Sequence, residues 1–389
     1  MKIRSDTLGL IYLPYLLLST ATFLSWPLME RINDISYIII LSILLIGIVF
    51  KKNVVIANPY WIVLVLLYIA FMIGTRHTST ETLFRIAYIF FLTIYSYNVY
   101  IEKTTLKSLY IIIASIWVIL VLESRSYFTI WSSSNNTNSM INPNTLAEGI
   151  LFLELFILLF SEVIIKNKSM RKVFRIITVT MTFIALYNSG SRMAIASFGI
   201  YVIADICVRN RKFLLNKLVA KVGTIILFSA GMLFTSIFLA INNMPYVNQF
   251  FLKYTGKNLD TGRAWMWNAA TEAIMSSKMN FLFGVTKAHR YSDIVFHSNM
   301  HNVYIYFFGC LGLVGYVILT VYFIKGIENI YSVQENPGFA TNCVLATWTM
   351  LLLGFSENIL IVKVMIPICY FFLGAGQNKS VNNIMKINE

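Results

Sequence analysis

His301 lies where the longest interval between apolar runs meets the next run, and Asn302, Gly312 and Gly315 follow it. A neutral imidazole at such a boundary can serve as a general base. Eleven residues of α-helix make about three turns, so a continuous helix would bring Gly312 beneath His301 on one face. Glycine there would let another helix approach closely. The alternative is an interfacial histidine at a helix end, with ordinary small-residue packing below it.

Arg192 ends the short polar segment 187–192, Tyr-Asn-Ser-Gly-Ser-Arg, between two apolar runs. An arginine beside membrane spans needs a physical reason, because its charge is expensive to bury. Its planar fork of donors suits phosphate oxygens, so one interpretation is an anion clamp. The other is an arginine at a helix end whose head reaches toward water.

Arg263 lies in the segment Asp-Thr-Gly-Arg-Ala-Trp-Met-Trp, residues 260–267. Asp260 or Thr261 could cap a short helix, which would place Arg263 and Trp267 one turn apart on one face. The functional interpretation is a second phosphate clamp with an aromatic platform for a sugar. The alternative is a helix lying on the membrane surface, where Trp and Arg are the expected residues.

Other residues near these positions are weaker candidates. Asn302 and Tyr304 adjoin His301, and Arg290 and His297 precede it in the same loop, so all four are predicted substrate contacts. Glu357, near a helix end, could pair with the basic residues of the site. The spacing of the loop histidines 289, 297 and 301 raises the question of a metal. No carboxylate or cysteine completes that set, so no metal and no cofactor are predicted.

These residues belong to a chain whose composition excludes a water-soluble enzyme. Of the 389 residues, 58% are hydrophobic and 12% charged, whereas soluble domains carry roughly a quarter charged residues. The net charge of +14 does not indicate nucleic-acid binding, because the basic residues lie in short segments between apolar runs.

The apolar runs predict an all-α polytopic membrane protein that forms one domain over 1–389. About twelve spans are expected, at 8–28, 36–50, 54–74, 84–101, 106–122, 144–165, 174–189, 192–208, 218–240, 303–324, 343–361 and 363–376.

Lys and Arg are distributed unequally between the two sides of this topology. Nineteen lie on the side of the N-terminus, against six on the other side outside its long loop. The excess predicts that both termini are cytoplasmic. Two external loops follow, a minor one at 123–143 and a large one at 241–302 that carries short helices. Loops this long in compact proteins are usually functional or disordered, and the many aromatic residues of 241–302 favour function.

Three features together resemble the O-antigen ligase and polysaccharide polymerase family of bacterial membrane glycosyltransferases. They are the Ser-Gly-Ser-Arg turn ending at Arg192, the Thr-Gly-Arg-x-x-x-Trp segment 261–267, and His301-Asn302 followed by Gly312 and Gly315. The Asn-Pro-Asn-Thr-Leu-Ala segment 142–147 is similar to that family as well, and the motifs cover roughly 140–325.

The resemblance implies an α-helical GT-C-like fold in the bacterial inner membrane, with a periplasmic active site. It implies a glycan donor carried on undecaprenyl pyrophosphate and a metal-independent transfer that inverts the anomeric carbon. Carried over by residue, Arg192 and Arg263 would hold the pyrophosphate, and His301 would activate the acceptor hydroxyl. The implied partners are lipid-linked donor and acceptor glycans and a regulator of chain length.

Two members of that family differ only in acceptor. A polymerase passes the growing chain to the next lipid-linked repeat unit, and a ligase passes the finished chain to a lipid A–core sugar. The Lys-, Ile- and Asn-rich composition, which is typical of horizontally acquired polysaccharide clusters, favours the polymerase. The alternative from another class is a flippase for lipid-linked oligosaccharides. It would be expected to show repeated halves, and none is detected.

Overall fold

The computed structural model describes residues 101–133, 143–209, 215–255, 262–286, 288–296, 300–357 and 366–386. The first four predicted spans, apart from residue 101, lie outside these residues, and so does His297. In the described part all secondary structure is helical. Its helices are α1 (Lys103–Ser133), α2 (Pro143–Ile164), α3 (Lys168–Ser189), α4 (Arg192–Arg209), α5 (Lys217–Asn242), α6 (Pro245–Thr255), α7 (Arg263–Met275), α8 (Lys278–Phe283), α9 (Ser292–Phe296), α10 (Val303–Val333), α11 (Pro337–Leu353), α12 (Ile366–Gly376) and α13 (Lys379–Lys386).

Three of these helices are long and apolar enough to cross a membrane: α1 over Lys103–Arg125, α5 and α10. The predicted spans 106–122, 218–240 and 303–324 fall on them. Large apolar side chains remain exposed along α5 within the described part, among them Ile226, Leu233 and Ile237. Such a surface suits contact with lipid. Membrane association therefore has support in the structure.

Polar caps explain where several helices begin. The side chains of Asn167, Asn216, Asn302 and Asn336 accept backbone N–H groups at the starts of α3, α5, α10 and α11. An N-cap satisfies one of the donors that a first helical turn leaves without a partner.

The large loop 241–302 contains the short helices α6 to α9, as its sequence predicts.

Two predicted boundaries differ from the observed ones. α1 continues to Ser133, so helix extends into the segment 123–143 that is predicted to be a loop. The predicted span 343–361 is displaced, because α11 begins at Pro337 and ends at Leu353, and a turn follows at residues 354–357. Hydropathy missed this turn because apolar residues continue beyond it. Its position brings Glu357 out of the helix and into the site.

Helix α10 is kinked at Gly312, where φ is 63° and ψ is −177°. A Cβ atom on Gly312 would come within 2.4 Å of backbone atoms of Leu282 and Phe283, at the end of α8. The close approach predicted at Gly312 is confirmed. The continuous helix predicted from His301 to Gly312 is wrong, because α10 begins at Val303 and bends at Gly312. The backbone of Leu282 and Phe283 approaches Gly312 at a point where Gly312 has non-helical backbone angles.

A buried ion pair joins the middle of the bundle. Arg175 of α3 contacts Asp205 of α4, and it also donates to the Leu158 carbonyl and the Ser161 hydroxyl of α2. Arg175 is itself buried. Glu154, which is fully buried on α2, lies near Arg175 as well. The arginine therefore supplies the counter-charge that the buried carboxylate of Asp205 requires.

We expect Gly312→Ala to lower the free energy of unfolding by roughly 2–4 kcal/mol, because the left-handed φ and the backbone clash act together. Gly199→Ala in α4 is the matched control, since a Cβ there meets nothing within 4 Å. That change should be neutral or stabilising by up to about 1 kcal/mol. Chemical unfolding in detergent, followed by helical circular dichroism, measures both. Equal stability of the two variants would show that the kink is not constrained.

We expect Arg175→Met to lower the free energy of unfolding by about 3–5 kcal/mol, because it leaves a buried carboxylate without its cation. Arg290→Met is the matched control. Arg290 pairs with Glu272 at the surface, and its side chain is 65% exposed. Exposed pairs contribute about 0–1 kcal/mol. The same unfolding assay compares them, and similar losses for both variants would contradict the structural role of the buried pair.

Candidate active site

The turn at residues 354–357 joins the starts of α7 and α10. The carbonyl of Gly354 accepts from Val303 N at 2.9 Å, and that of Phe355 accepts from Asn302 Nδ2 at 2.8 Å. The carbonyl of Ser356 accepts from Arg263 Nη1 at 2.8 Å. Three successive carbonyls thus hold two separate segments. Gly354 permits this approach, because a Cβ there would come within 2.6 Å of Val303.

The Glu357 carboxylate is the centre of the site. Its Oε1 accepts from Arg263 Nη2 at 3.0 Å and from Asn144 Nδ2 at 2.9 Å. Its Oε2 lies 2.9 Å from Nδ1 of His301. The side chain is only 6% exposed, so its charge depends on these partners. One carboxylate therefore brings together residues far apart in the sequence.

His301 holds an unusual backbone conformation. Its φ of 48° is the only positive value of a non-glycine residue in the described part of the chain. Such conformations cost of order 1–3 kcal/mol and persist where the surroundings impose them. Here Asn302 imposes it, because it caps Tyr304 N and Ile305 N and also donates to the Phe355 carbonyl. The strain presents the imidazole to Glu357.

Arg192 begins α4 directly after a tight turn. Gly190 ends α3 with a φ of 71°, and Ser189 accepts from the backbone N–H of Ser191. Arg192 lies close enough to Arg263 that their positive charges repel each other. Of the three residues predicted to be catalytic, Arg263 and His301 therefore meet at Glu357, and Arg192 lies near Arg263. An anion between the arginines would relieve their repulsion.

A further acid faces this group. Glu148 is buried on α2, one turn after Asn144, and the charges of Glu357 and Arg263 both act on it. The sequence predicts Glu357 as a possible partner of the basic residues. The sequence gave no reason to expect a hydrogen bond from Asn144 to Glu357. The only signal for that contact was the Asn-Pro-Asn segment at the start of a span.

The site lies where several helices begin. Asn144 is the second residue of α2, Arg192 and Arg263 are the first residues of α4 and α7, and His301 precedes α10 by two. Helix N-termini carry a partial positive charge and favour anions. The arrangement, with two arginines and several such ends near one carboxylate, is suited to an anionic group.

Three predicted binding residues have structural positions instead. Trp267 is buried, donates from Nε1 to the Met300 carbonyl and packs on Phe238, so it offers no platform to a sugar. Tyr304 is fully buried and donates to the Leu351 carbonyl. Asn302 is likewise buried and caps α10. Apolar periodicity and polar residue type could not distinguish these contacts from contacts with a ligand.

Another candidate, Arg290, is not joined to the site. Arg290 pairs with Glu272 and stacks on the ring of Tyr291, 4.6 Å from its centroid. Glu272 follows Arg263 by nine residues of helix, or about 13 Å along the axis. His297 lies outside the described residues, as do Asp260 and Thr261, and Gly262 occupies the N-cap of α7. Arg290 therefore belongs to the surface at the opposite end of α7.

The described residues contain no group of three or more His, Cys, Asp or Glu side chains placed to hold a metal ion. No family model matches the sequence, and no curated protein matches it significantly. The family resemblance therefore depends on the sequence motifs alone. The contacts among the motif residues are observations of the structure and do not depend on the resemblance.

Proposed function

We propose that this chain is a bacterial membrane glycosyltransferase that polymerises a surface polysaccharide. It transfers a growing glycan from undecaprenyl pyrophosphate to the next lipid-linked repeat unit at the periplasmic face. The observation that carries the proposal is the contact of Glu357 with both Arg263 and His301, together with Arg192 near Arg263. Two cations beside a base at the end of an apolar bundle suit a lipid-borne pyrophosphate and a sugar hydroxyl. We retain the GT-C-like fold with about twelve spans as part of this proposal.

The arginines act on the leaving group. Pyrophosphate gains negative charge as the glycosidic bond breaks, and fixed guanidinium groups stabilise that charge without reorganisation. Arg192 and Arg263 supply these groups, and the helix ends beneath them add to the same field. The proposed mechanism therefore uses no metal ion, and no general acid is needed for a leaving group that is already good.

His301 acts on the acceptor. The acceptor hydroxyl gives its proton to Nε2 of the imidazole, and its oxygen forms the new bond to the anomeric carbon. The bond from that carbon to the pyrophosphate oxygen breaks, and its electron pair stays on the pyrophosphate. Attack opposite the leaving group inverts the anomeric configuration through an oxocarbenium-like transition state.

Polymerase and ligase share this chemistry, since they differ in the acceptor that reaches His301. We favour the polymerase on the composition of the chain. Loss of a polymerase and loss of a ligase leave different surface polysaccharides, so one experiment distinguishes the two activities.

A second candidate function is transport of lipid-linked oligosaccharide. The observation that favours it is the buried set Glu154, Arg175 and Asp205 inside the bundle, because intramembrane charges often mark a transport path. Transport requires two compartments and glycan transfer does not. Turnover of lipid-linked repeats by purified protein in detergent therefore decides between them, and transfer there should persist in EDTA.

We expect a strain lacking this gene to make single repeat units on the lipid A–core, and the wild-type chain to restore long ladders. Arg192→Ala, Arg263→Ala and His301→Ala should each fail, with a loss of at least about 100-fold in transfer. Arg290→Ala is the matched control, because it removes an arginine far from the site, and it should restore ladders. Gel analysis of surface polysaccharide, with expression checked by immunoblot, gives the result.

Two outcomes would change the conclusion. Accumulation of long lipid-linked chains that never reach the core would identify a ligase. Full ladders from all three site variants would remove the catalytic assignment and favour transport.

A further inference from the structure

We propose that Glu357 is a positioning residue that fixes the tautomer of His301 and holds it in register with Arg263. The inference rests on the proposed function, because it assigns Glu357 a role in the same transfer reaction. The evidence for it is that the two carboxylate oxygens of Glu357 have different partners, because one contacts Arg263 and the other contacts His301.

The two oxygens of Glu357 are both used as acceptors. Oε1 accepts from Arg263 and Asn144, and Oε2 faces Nδ1 of His301 at 2.9 Å. An ionised carboxylate has no proton to donate, so the imidazole must carry its proton on Nδ1. The lone pair then lies on Nε2, which is the atom that a base needs. The partner on one nitrogen of a histidine decides the role of the other.

The backbone prevents the carboxylate from moving away from the imidazole. Glu357 closes the turn after α11, and its N–H bonds to the Leu353 carbonyl at 3.1 Å. The preceding carbonyls hold Arg263 and Asn302. The residue before Asn302 is His301, so one turn fixes both the cation and the base. A displacement of the turn would therefore move both groups together.

Proton transfer gives the carboxylate a second task. When Nε2 takes the proton of the acceptor hydroxyl, the imidazole becomes a cation beside Glu357. A neighbouring carboxylate stabilises that cation, as it does in other acid–base pairs of histidine and carboxylate. Within the described part of the chain, Arg263 and Glu148 are further charged groups that interact with Glu357, and Arg192 interacts with Arg263. Glu357 is the one among them that touches the ring.

The substitution Glu357→Gln tests this arrangement with almost no change in size. An amide offers one acceptor oxygen and one donor group, so it cannot satisfy Arg263 and His301 in the observed way. The charged guanidinium and Asn144 should retain the oxygen. The amide N–H then faces Nδ1, which becomes an acceptor, and the proton moves to Nε2. Glu357→Asp keeps two acceptor oxygens and should retain the Nδ1–H form in part.

The measurement is solid-state ¹⁵N NMR of histidine-labelled protein in lipid bilayers, which reports the protonated ring nitrogen directly. The chain has four histidines, and loss of one signal set in His301→Gln assigns the residue. We expect Nδ1–H in the wild type and Nε2–H in Glu357→Gln. Glu272→Gln is the matched control, since Glu272 pairs with Arg290 at an exposed position, and it should leave the tautomer unchanged.

A turnover assay on the same proteins completes the test. Glu357→Gln should lower kcat by at least about 10-fold, and Glu357→Asp should recover part of that loss. An Nε2–H tautomer in the wild type would overturn the inference without any variant, even if Glu357→Gln failed to fold. An Nδ1–H tautomer that persists in folded Glu357→Gln would overturn it also. The NMR result needs no substrate, so failure of glycan transfer by the wild type would be recognised separately as failure of the proposed function.

Discussion

The carboxylate of Glu357 is the interaction on which the described end of the molecule depends. A charge that is almost fully buried must be paired and hydrogen-bonded, and its partners here come from α2, α7 and the residue pair before α10. The dependence is mutual, because the positions of Arg263 and His301 are set by the same group. Loss of any member removes one of the contacts that compensate for the burial of this carboxylate. This mutual requirement makes the site a property of the fold as a whole.

Glycines allow the backbone to meet these requirements. Gly312 and Gly284 both have positive φ, and each lies against a backbone segment that a side chain would displace. Gly354 brings the turn against Val303, which adjoins the cap of α10. The large loop can then fold back on α10 through α8. The short helix α8 thus packs against α10, the helix that follows His301.

The two ends of the bundle carry different electrostatics. At the site, Arg263, His301 and Asn144 surround Glu357 at the beginnings of helices. At the opposite end of α10, Lys217, Lys221 and Lys325 surround Glu328 at 3.0, 3.6 and 2.6 Å. That cluster of three lysines and one glutamate carries a net positive charge.

The sequence by itself determined the helical class of the chain, the apolar runs at 106–122, 218–240 and 303–324, and the candidates Arg192, Arg263 and His301. Hydropathy, charge and residue type are local quantities, and they specify such features directly. Only the tertiary structure decided that Glu357 and Asn144 join the arginine and the histidine, and that Trp267 and Tyr304 belong to the core. The sequence also could not place the turn at 354–357 or the break at Gly312, because apolar residues continue through both. These outcomes depend on contacts between residues up to 213 positions apart, which no local pattern records.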